Sequence, residues 1–495
     1  MRFARLAEYL EKLEGTSSRL AMTEILASLY KEADASEMRE VVYLCQGKLG
    51  PAYKSPDFGV ADKQVIKLIK RLSDEDVEKV FKETGDLGKT VEKLKEKDAG
   101  KNSKLSVKDV YDKLWKVAET SGTGSQEGKS DQIVELLSGV DPRSAKYVVK
   151  IILGKLRSGF SDMTALDGLS WMLSGDKKLR PEIEALYDVR ADLGELARLI
   201  KENDGIKGLK VEPVIGTPIL MAKAERATTA DEIWEREARA MEYKLDGLRI
   251  QAHIRTNKPG SFTAVQDDNV QLFSRGMEDV TAMYPDVVEG LTKQIKKDCI
   301  VEGEMIALGK NGEFLPFQET TQRKRKYDIE EMRNKIPLTI FLFDLLVLDK
   351  TNMTNRTNIE RREVLESLVE RGETVRLMTR KVAKSVTDIE EFYKQAIEDR
   401  TEGIMVKKLD GPYKPGSRDF NWIKYKKSYD KSALSDTIDA VVMGYDVGQG
   451  KRTVFGIGDF LIGVYDEKTQ TYKTIAKVGT GLTDEEWREI KTRIM

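Results

Sequence analysis

The tetrapeptide Lys-Leu-Asp-Gly occurs twice in the chain, at 244–247 and at 408–411. A lysine acts as a nucleophile only after losing its proton. That requires neighbouring cations, a metal ion or partial burial. Without such neighbours the same four residues read as a strand end entering an Asp-Gly turn. Context separates the two copies. Lys244 is followed in order by Arg249, Phe273-Ser274-Arg275-Gly276, Glu302-Gly303-Glu304, Glu402-Gly403-Ile404-Met405-Val406-Lys407 and Trp422-Ile423-Lys424-Tyr425-Lys426. In a strand, residues two apart share a face, so Lys424 and Lys426 point the same way. Cations to neutralise phosphate oxygens and carboxylates to hold a divalent ion are what phosphoryl transfer needs. Lys408 has no comparable series after it.

Charge patterning points the same way. The chain carries 83 Lys/Arg against 84 Asp/Glu, so its balance does not announce a polyanionic partner. Residues 407–431, however, hold eight Lys/Arg against three Asp, which reads as a phosphate-facing stretch. The run Arg323-Lys324-Arg325-Lys326 is expected to contact a nucleic-acid backbone. Two cysteines, Cys45 and Cys299, and one histidine, His253, exclude a disulfide framework, a four-cysteine zinc site and His-dyad chemistry. His253 lies in a strand and is assigned no role. No basic-then-apolar leader opens the chain, and no apolar run reaches about 18 residues. A soluble, cytoplasmic protein with no membrane partner is expected.

At 495 residues the chain should form several domains. Helical spacing of Phe3, Leu6, Leu10 and Leu13, with similar stripes beyond, predicts an all-α region over 1–205. Residues 121–130, rich in Gly and Ser, read as a flexible connector. Pro213, Gly216 and Pro218 mark a linker over 206–220. From 221 to 430 the pattern is mixed α+β. Leu248–Ile254 alternates as a half-buried strand, and Leu338–Leu346 is a continuous apolar strand. Residues 431–495 predict three strands and a helix, the start of a small β-barrel with too few strands to close.

The stretches Glu242–Arg249, Phe273–Gly276, Phe341–Leu346, Glu402–Lys407 and Trp422–Lys426, in that order, resemble the motifs of the covalent nucleotidyltransferases. The closest resemblance is to ATP-dependent DNA ligases of the archaeal and eukaryotic replicative type. It extends to Arg157–Thr164 and the Pro213–Pro218 linker, and so over essentially the whole chain. The resemblance implies a multidomain protein: an all-α DNA-binding domain, an α+β nucleotidyltransferase domain and a partial OB-type barrel. It implies ATP and Mg²⁺ (or Mn²⁺) as cofactors and nicked double-stranded DNA as partner. A sliding clamp is a candidate partner, and a monomer is expected. By the resemblance, Lys244 attacks the ATP α-phosphate and becomes adenylated, and Glu242 reads the adenine edge. Phe343 stacks on adenine. Arg249 and Arg275 contact phosphate, the latter the nick 5′-phosphate. Glu304 meets the ribose or a metal, and Glu402 holds a divalent ion. Lys424 and Lys426, with Arg418 nearby, face the α-phosphate and pyrophosphate. DNA contacts are expected at Arg275, Arg323, Lys324, Lys155 and Arg157.

The sequence departs from the family in two places. It reaches Met495 without the final basic motif of the family barrel, so self-adenylation is expected to be impaired more than sealing of a pre-adenylated nick. Arg157-Ser158-Gly159-Phe160 also differs from the usual apolar-then-Gly-Val pattern. Two other readings stay open: an RNA ligase or capping-type nucleotidyltransferase, and a non-catalytic DNA-binding homologue. The long helical region opposes the first. Intact Lys244, Glu402, Lys424 and Lys426 oppose the second.

Overall fold

The computed structural model describes residues 1–96, 104–122, 124–156, 159–256, 269–325, 327–427, 438–448 and 455–494. It divides into two compact units, Met1–Lys426 and Lys427–Met495.

The first unit opens with helices, from Phe3–Glu14 to Leu193–Glu202. Their apolar stripes meet in one core that includes Leu6, Leu10, Leu26, Tyr30, Tyr147 and Leu166. The expected connector at 121–130 is not one throughout: a helix spans Ser125–Ser138. Gly124 takes a left-handed conformation at its N-cap, and Ile133, Leu136 and Leu137 bury its far end. Tertiary burial thus overrides the weak local propensity of Ser and Gly. Lys155 pairs with Asp62 at 2.6 Å on the surface. Arg157 lies outside the described residues.

Residues 206–222 form turns and extended chain strapped to the domain that follows. The Gln251 side chain accepts from the Ile219 N–H (2.9 Å) and donates to the Ile219 carbonyl (3.0 Å). His253 is buried, and burial lowers its pKa to about 3. Its Nδ1 accepts from the Gly216 N–H at 2.9 Å, which leaves the Nε2 proton for Gln251 at 2.8 Å. The lone histidine is a neutral strap, not a catalyst.

Among the described residues, eleven strands follow: β1 (Lys223–Arg226), β2 (Ala238–Lys244), β3 (Leu248–Ile254), β4 (Val270–Ser274), β5 (Cys299–Ala307), β6 (Leu338–Leu348), β7 (Thr351–Asn352), β8 (Val375–Leu377), β9 (Arg380–Val382), β10 (Gly403–Lys408) and β11 (Arg418–Lys426). One sheet has the order β1-β11-β10-β2-β9. A second runs β4-β3-β5-β6-β7, with β8 added on β6. The β1–β11 and β6–β8 pairs are parallel and the others antiparallel. Helices Asn358–Leu368 and Val386–Glu398 pack against these sheets.

The second unit is an antiparallel sheet of β12 (Val441–Val447), β13 (Ile457–Asp466) and β14 (Thr471–Val478), then a helix Asp484–Ile494. Trp487 of that helix stacks on Phe460, ring centroids 4.9 Å apart. Among the described residues no helix is long and apolar enough to cross a membrane.

Candidate active site

Lys244 is the last residue of β2, and strand pairing decides what surrounds it. Gly403 of β10 lies opposite both Lys244 and Lys426 of β11, so the ends of three strands meet at one point. The Glu402 N–H donates to the Lys244 carbonyl at 2.9 Å, which fixes the carboxylate beside the amine. Gly403 has φ +141°, and a Cβ there would lie 2.1 Å from the Tyr425 carbonyl oxygen. Only glycine lets the strands close in this way. Gly247, in the turn after Lys244, is equally constrained: its Cβ would meet the Met305 carbonyl oxygen at 2.3 Å. That close approach brings the Lys244 turn against β5 and Glu304.

The two sheets thereby line one cavity of about 660 Å³. Glu242, Lys244, Arg249, Arg275, Glu304, Lys324, Phe343, Glu402, Arg418, Lys424 and Lys426, all singled out from sequence, line it. Lys408 does not. It is partly exposed beside a separate surface pocket, with Glu237 at 3.9 Å.

Glu402 bridges two lysines. It contacts Lys244 closely and Lys426 at 2.7 Å. Burial pushes the Glu402 carboxyl up, but the charges of Lys244 and Lys426 outweigh it and hold the group below the ordinary carboxylate range. Lys424 is lowered by burial and by the cations Arg418, Lys426, Lys244 and Arg275 around it. Asp246 is raised by burial and by Glu402. Burial pushes Glu304 up to about 7, against the opposing pull of Lys244 and Arg249. Among the described residues no group of three or more His, Cys, Asp or Glu forms a ready-made metal cage.

Under the cavity lies a buried charge network. Lys407, 1% exposed, sits over the rings of Phe343 (4.8 Å) and Trp422 (4.2 Å). Its Nζ lies 2.7 Å from Glu242 and 3.8 Å from Asp344. Burial lowers the Lys407 pKa, with Glu242 and Asp344 opposing that shift. Asp344 also takes two contacts from Arg361, at 2.7 and 3.2 Å. A parallel set holds Arg249. Its terminal amines donate to the Ala222 carbonyl (2.7 Å) and to Glu302 (2.8 Å), and Glu302 also accepts from Gln251 and Tyr413. Arg249 therefore reaches the cavity wall with both terminal amines already engaged.

Chain segments 221–426 match the model of the ATP dependent DNA ligase domain, and segments 2–170 match the DNA ligase N terminus. A relative from Dictyoglomus turgidum described as a probable DNA ligase is 42% identical, the alignment covering 98% of this chain and 82% of the relative. The chain belongs to the ATP-dependent DNA ligase family. A DNA ligase of Sulfolobus acidocaldarius is 37% identical over 99% of this chain and 83% of its own length. The fold is shared with a solved structure named Pmar-Lig_Pre, which covers 99% of this ligase and 90% of that chain at a TM-score of 0.53 and 15% identity.

One predicted DNA contact of the ligase needs correction. Arg323 is not on a DNA-facing surface. Its side chain is fully buried, donating to Asp286 at 2.6 Å and to the Ile329 carbonyl at 3.3 Å. Asp286 also accepts from the Leu338 N–H, so Arg323 ties the 317–336 segment to β6. Lys324, next in sequence, stays half-exposed at the cavity, 3.6 Å from Glu278. Sequence reading also missed residues that shape the site, notably Asp344, Arg361 and Tyr413. Asp344 did carry a signal, as a lone carboxylate inside the apolar run of β6.

The raised carboxyls give a pH prediction. Asp188, pushed to about 7 by burial and by Glu184, titrates in the same window as Glu304. An acid with a higher pKa folded than unfolded binds its proton more tightly in the native state. The stability it lends is present at low pH and lost as pH rises from about 4 through about 7. The melting temperature of the ligand-free ligase is expected to fall between about pH 5 and pH 8. Glu304→Gln and Asp188→Asn should each flatten that fall, and two unaltered slopes would refute the assignment.

Proposed function

We propose that the ligase seals nicks in duplex DNA in three steps at this cavity. The deprotonated Lys244 Nζ attacks the α-phosphorus of ATP, the bond to the β-phosphate oxygen breaks, and pyrophosphate leaves. An oxygen of the nick 5′-phosphate then attacks the AMP phosphorus and the P–N bond breaks, returning Lys244 to the amine. Finally the 3′-hydroxyl attacks the 5′-phosphorus, a phosphodiester forms and AMP departs.

The observation that carries this reading is the meeting of Lys244, Glu402 and Lys426 at three strand ends on one cavity. Lys424, Lys426 and Arg418 supply positive charge where the triphosphate gains negative charge, which is the main demand of phosphoryl transfer. Phe343 and Trp422, edge to face at 5.9 Å, offer an aromatic wall for adenine. Glu242, with one oxygen on Lys407, is read as the acceptor at the adenine edge. Arg249, held by Glu302, adds fixed positive potential. Glu304 and Glu402 suit Mg²⁺ or Mn²⁺, because such an ion takes one or two carboxylates and completes its shell with phosphates and water. When bound it would supply charge neutralisation on the triphosphate. Arg275 and Lys324 at the mouth of the cavity are read as contacts to the nicked strand, with Lys155 a further phosphate contact. Strands β12–β14 with their helix are read as the opening of an OB-type barrel.

The reading is tested against an RNA-joining alternative with matched nicked substrates. Joining of a nicked DNA duplex, with a nicked RNA duplex left unjoined, is the expected outcome. Preferential joining of the RNA would overturn it. Glu402→Gln is expected to slow covalent adenylation by at least about a hundredfold, because the group that aligns Lys244 and Lys426 loses its charge. A wild-type rate of AMP labelling in that variant would contradict the role.

A further inference from the structure

The turn that carries Arg275 is built from its own backbone but anchored by the helical region. The Met277 N–H donates to the Ser274 carbonyl at 2.8 Å, closing the turn Ser274–Met277. The Ser274 N–H donates to the Glu278 carbonyl at 2.9 Å, and the Ser274 hydroxyl oxygen accepts from the Glu278 N–H at 3.2 Å. Met277 lies at φ +61°, a conformation that bulky side chains rarely adopt. Its side chain leaves the turn and packs, half-buried, against the apolar core of the helical region. On the other side of Arg275, Phe273 meets Tyr53 of the helical region edge to face at 5.8 Å and His253 at 4.7 Å. Tyr53 in turn donates to Asp192 at 3.3 Å. Arg275, exposed at the cavity mouth, therefore has one helical-region contact two residues before it and another two residues after it.

We propose that Met277 is a positioning residue for nick sealing. Seating the helical region on Met277 holds the turn so that the Arg275 guanidinium lies on the cavity, which couples engagement of the helical region to completion of the site. The strained backbone persists because the side chain has this anchor; a freely exposed turn would select glycine or asparagine there. The proposal rests on the reading of Arg275 as a nick-phosphate contact.

The test uses the full chain with Met277→Gly, which suits the positive φ and removes only the anchor, and Met277→Asn as a second route to the same change. Joining of a pre-adenylated DNA nick is measured in single turnover at saturating DNA, beside covalent labelling by α-labelled ATP without DNA. Both variants should slow joining about tenfold, as misplacement of an aligned group does, while labelling stays within about twofold of wild type. Met277→Leu should restore joining. Combining Met277→Gly with Arg275→Ala should add nothing to Arg275→Ala alone, because the first acts through the second. Wild-type joining by Met277→Gly, equal losses in joining and labelling, or a full multiplicative loss in the double variant would each overturn the proposal. If Arg275→Ala itself joins normally, the underlying reading of Arg275 fails, a result separable from failure at Met277.

Discussion

Lys244→Ala will lose overall nick sealing by on the order of 10⁴-fold or more, yet will still join a nick that already carries AMP. In the proposed mechanism this substitution removes the nucleophile that forms the covalent intermediate, and losses of this size are typical of nucleophile deletions. In that mechanism the pre-adenylated nick bypasses the steps in which the Lys244 amine would bond to phosphorus. What would remain is alignment of the 3′-hydroxyl and neutralisation of charge by Lys424, Lys426 and Arg275, with Glu304 and Glu402 to hold a divalent ion, all of which stay in the cavity. Lys408→Ala should seal like wild type, since that lysine lies beside a different surface pocket. Parallel loss of both activities in Lys244→Ala would argue that the lysine only supports the fold.

Asp344→Ala is expected to be the most destabilising single change near the site. Asp344 is 1% exposed and compensates two buried cations, Arg361 through two hydrogen bonds and Lys407 at 3.8 Å. Burial raises its pKa, but Arg361 and Lys407 together bring it below the ordinary aspartate value, which favours the charged form. Truncating it strands the Arg361 guanidinium, itself 1% exposed, without its carboxylate. Breaking a buried pair by removing one partner costs about 3–5 kcal/mol. In a domain of this size that corresponds to a fall in melting temperature of roughly 6–20 °C. Removing both sides, as in Asp344→Leu with Arg361→Met, should recover much of the loss, because a buried pair replaced by well-packed apolar residues is often neutral. Thermal unfolding of these two variants beside wild type checks this. A double variant as unstable as Asp344→Ala would show that the pair contributes through shape rather than charge.

Much of the site was readable because its residues sit at strand ends whose patterns are local. Alternation in Leu248–Ile254 and the apolar run of β6 mark strands directly, and the i, i+2 spacing of Lys424 and Lys426 puts both on one face. Beyond the series that follows each in sequence, the second Lys-Leu-Asp-Gly differs from the first in what faces it across the sheet, which is a property of pairing. Lys244 meets Gly403, whereas Lys408 pairs beyond a bulge with Ala238. Buried charge was the harder problem. Arg323 stands in a run of four cations that looks solvent-facing, but Asp286, 37 residues away, draws it inside. Arg361 occupies a charge-rich helix, and its burial is explained by Asp344 on β6 together with the Arg356 and Gly411 carbonyls that the fold brings to it. The helix Ser125–Ser138 was hidden for a related reason: its stability comes from Ile133, Leu136 and Leu137 meeting the core, not from its Ser- and Gly-rich start.

The central claim, that Lys244 is the residue adenylated, is tested most directly by prolonged incubation of wild type, Lys244→Ala and Lys408→Ala with α-labelled ATP and Mg²⁺, followed by denaturation. Covalent label retained by wild type and by Lys408→Ala, and absent from Lys244→Ala, is the predicted result; label that survives in Lys244→Ala would contradict it.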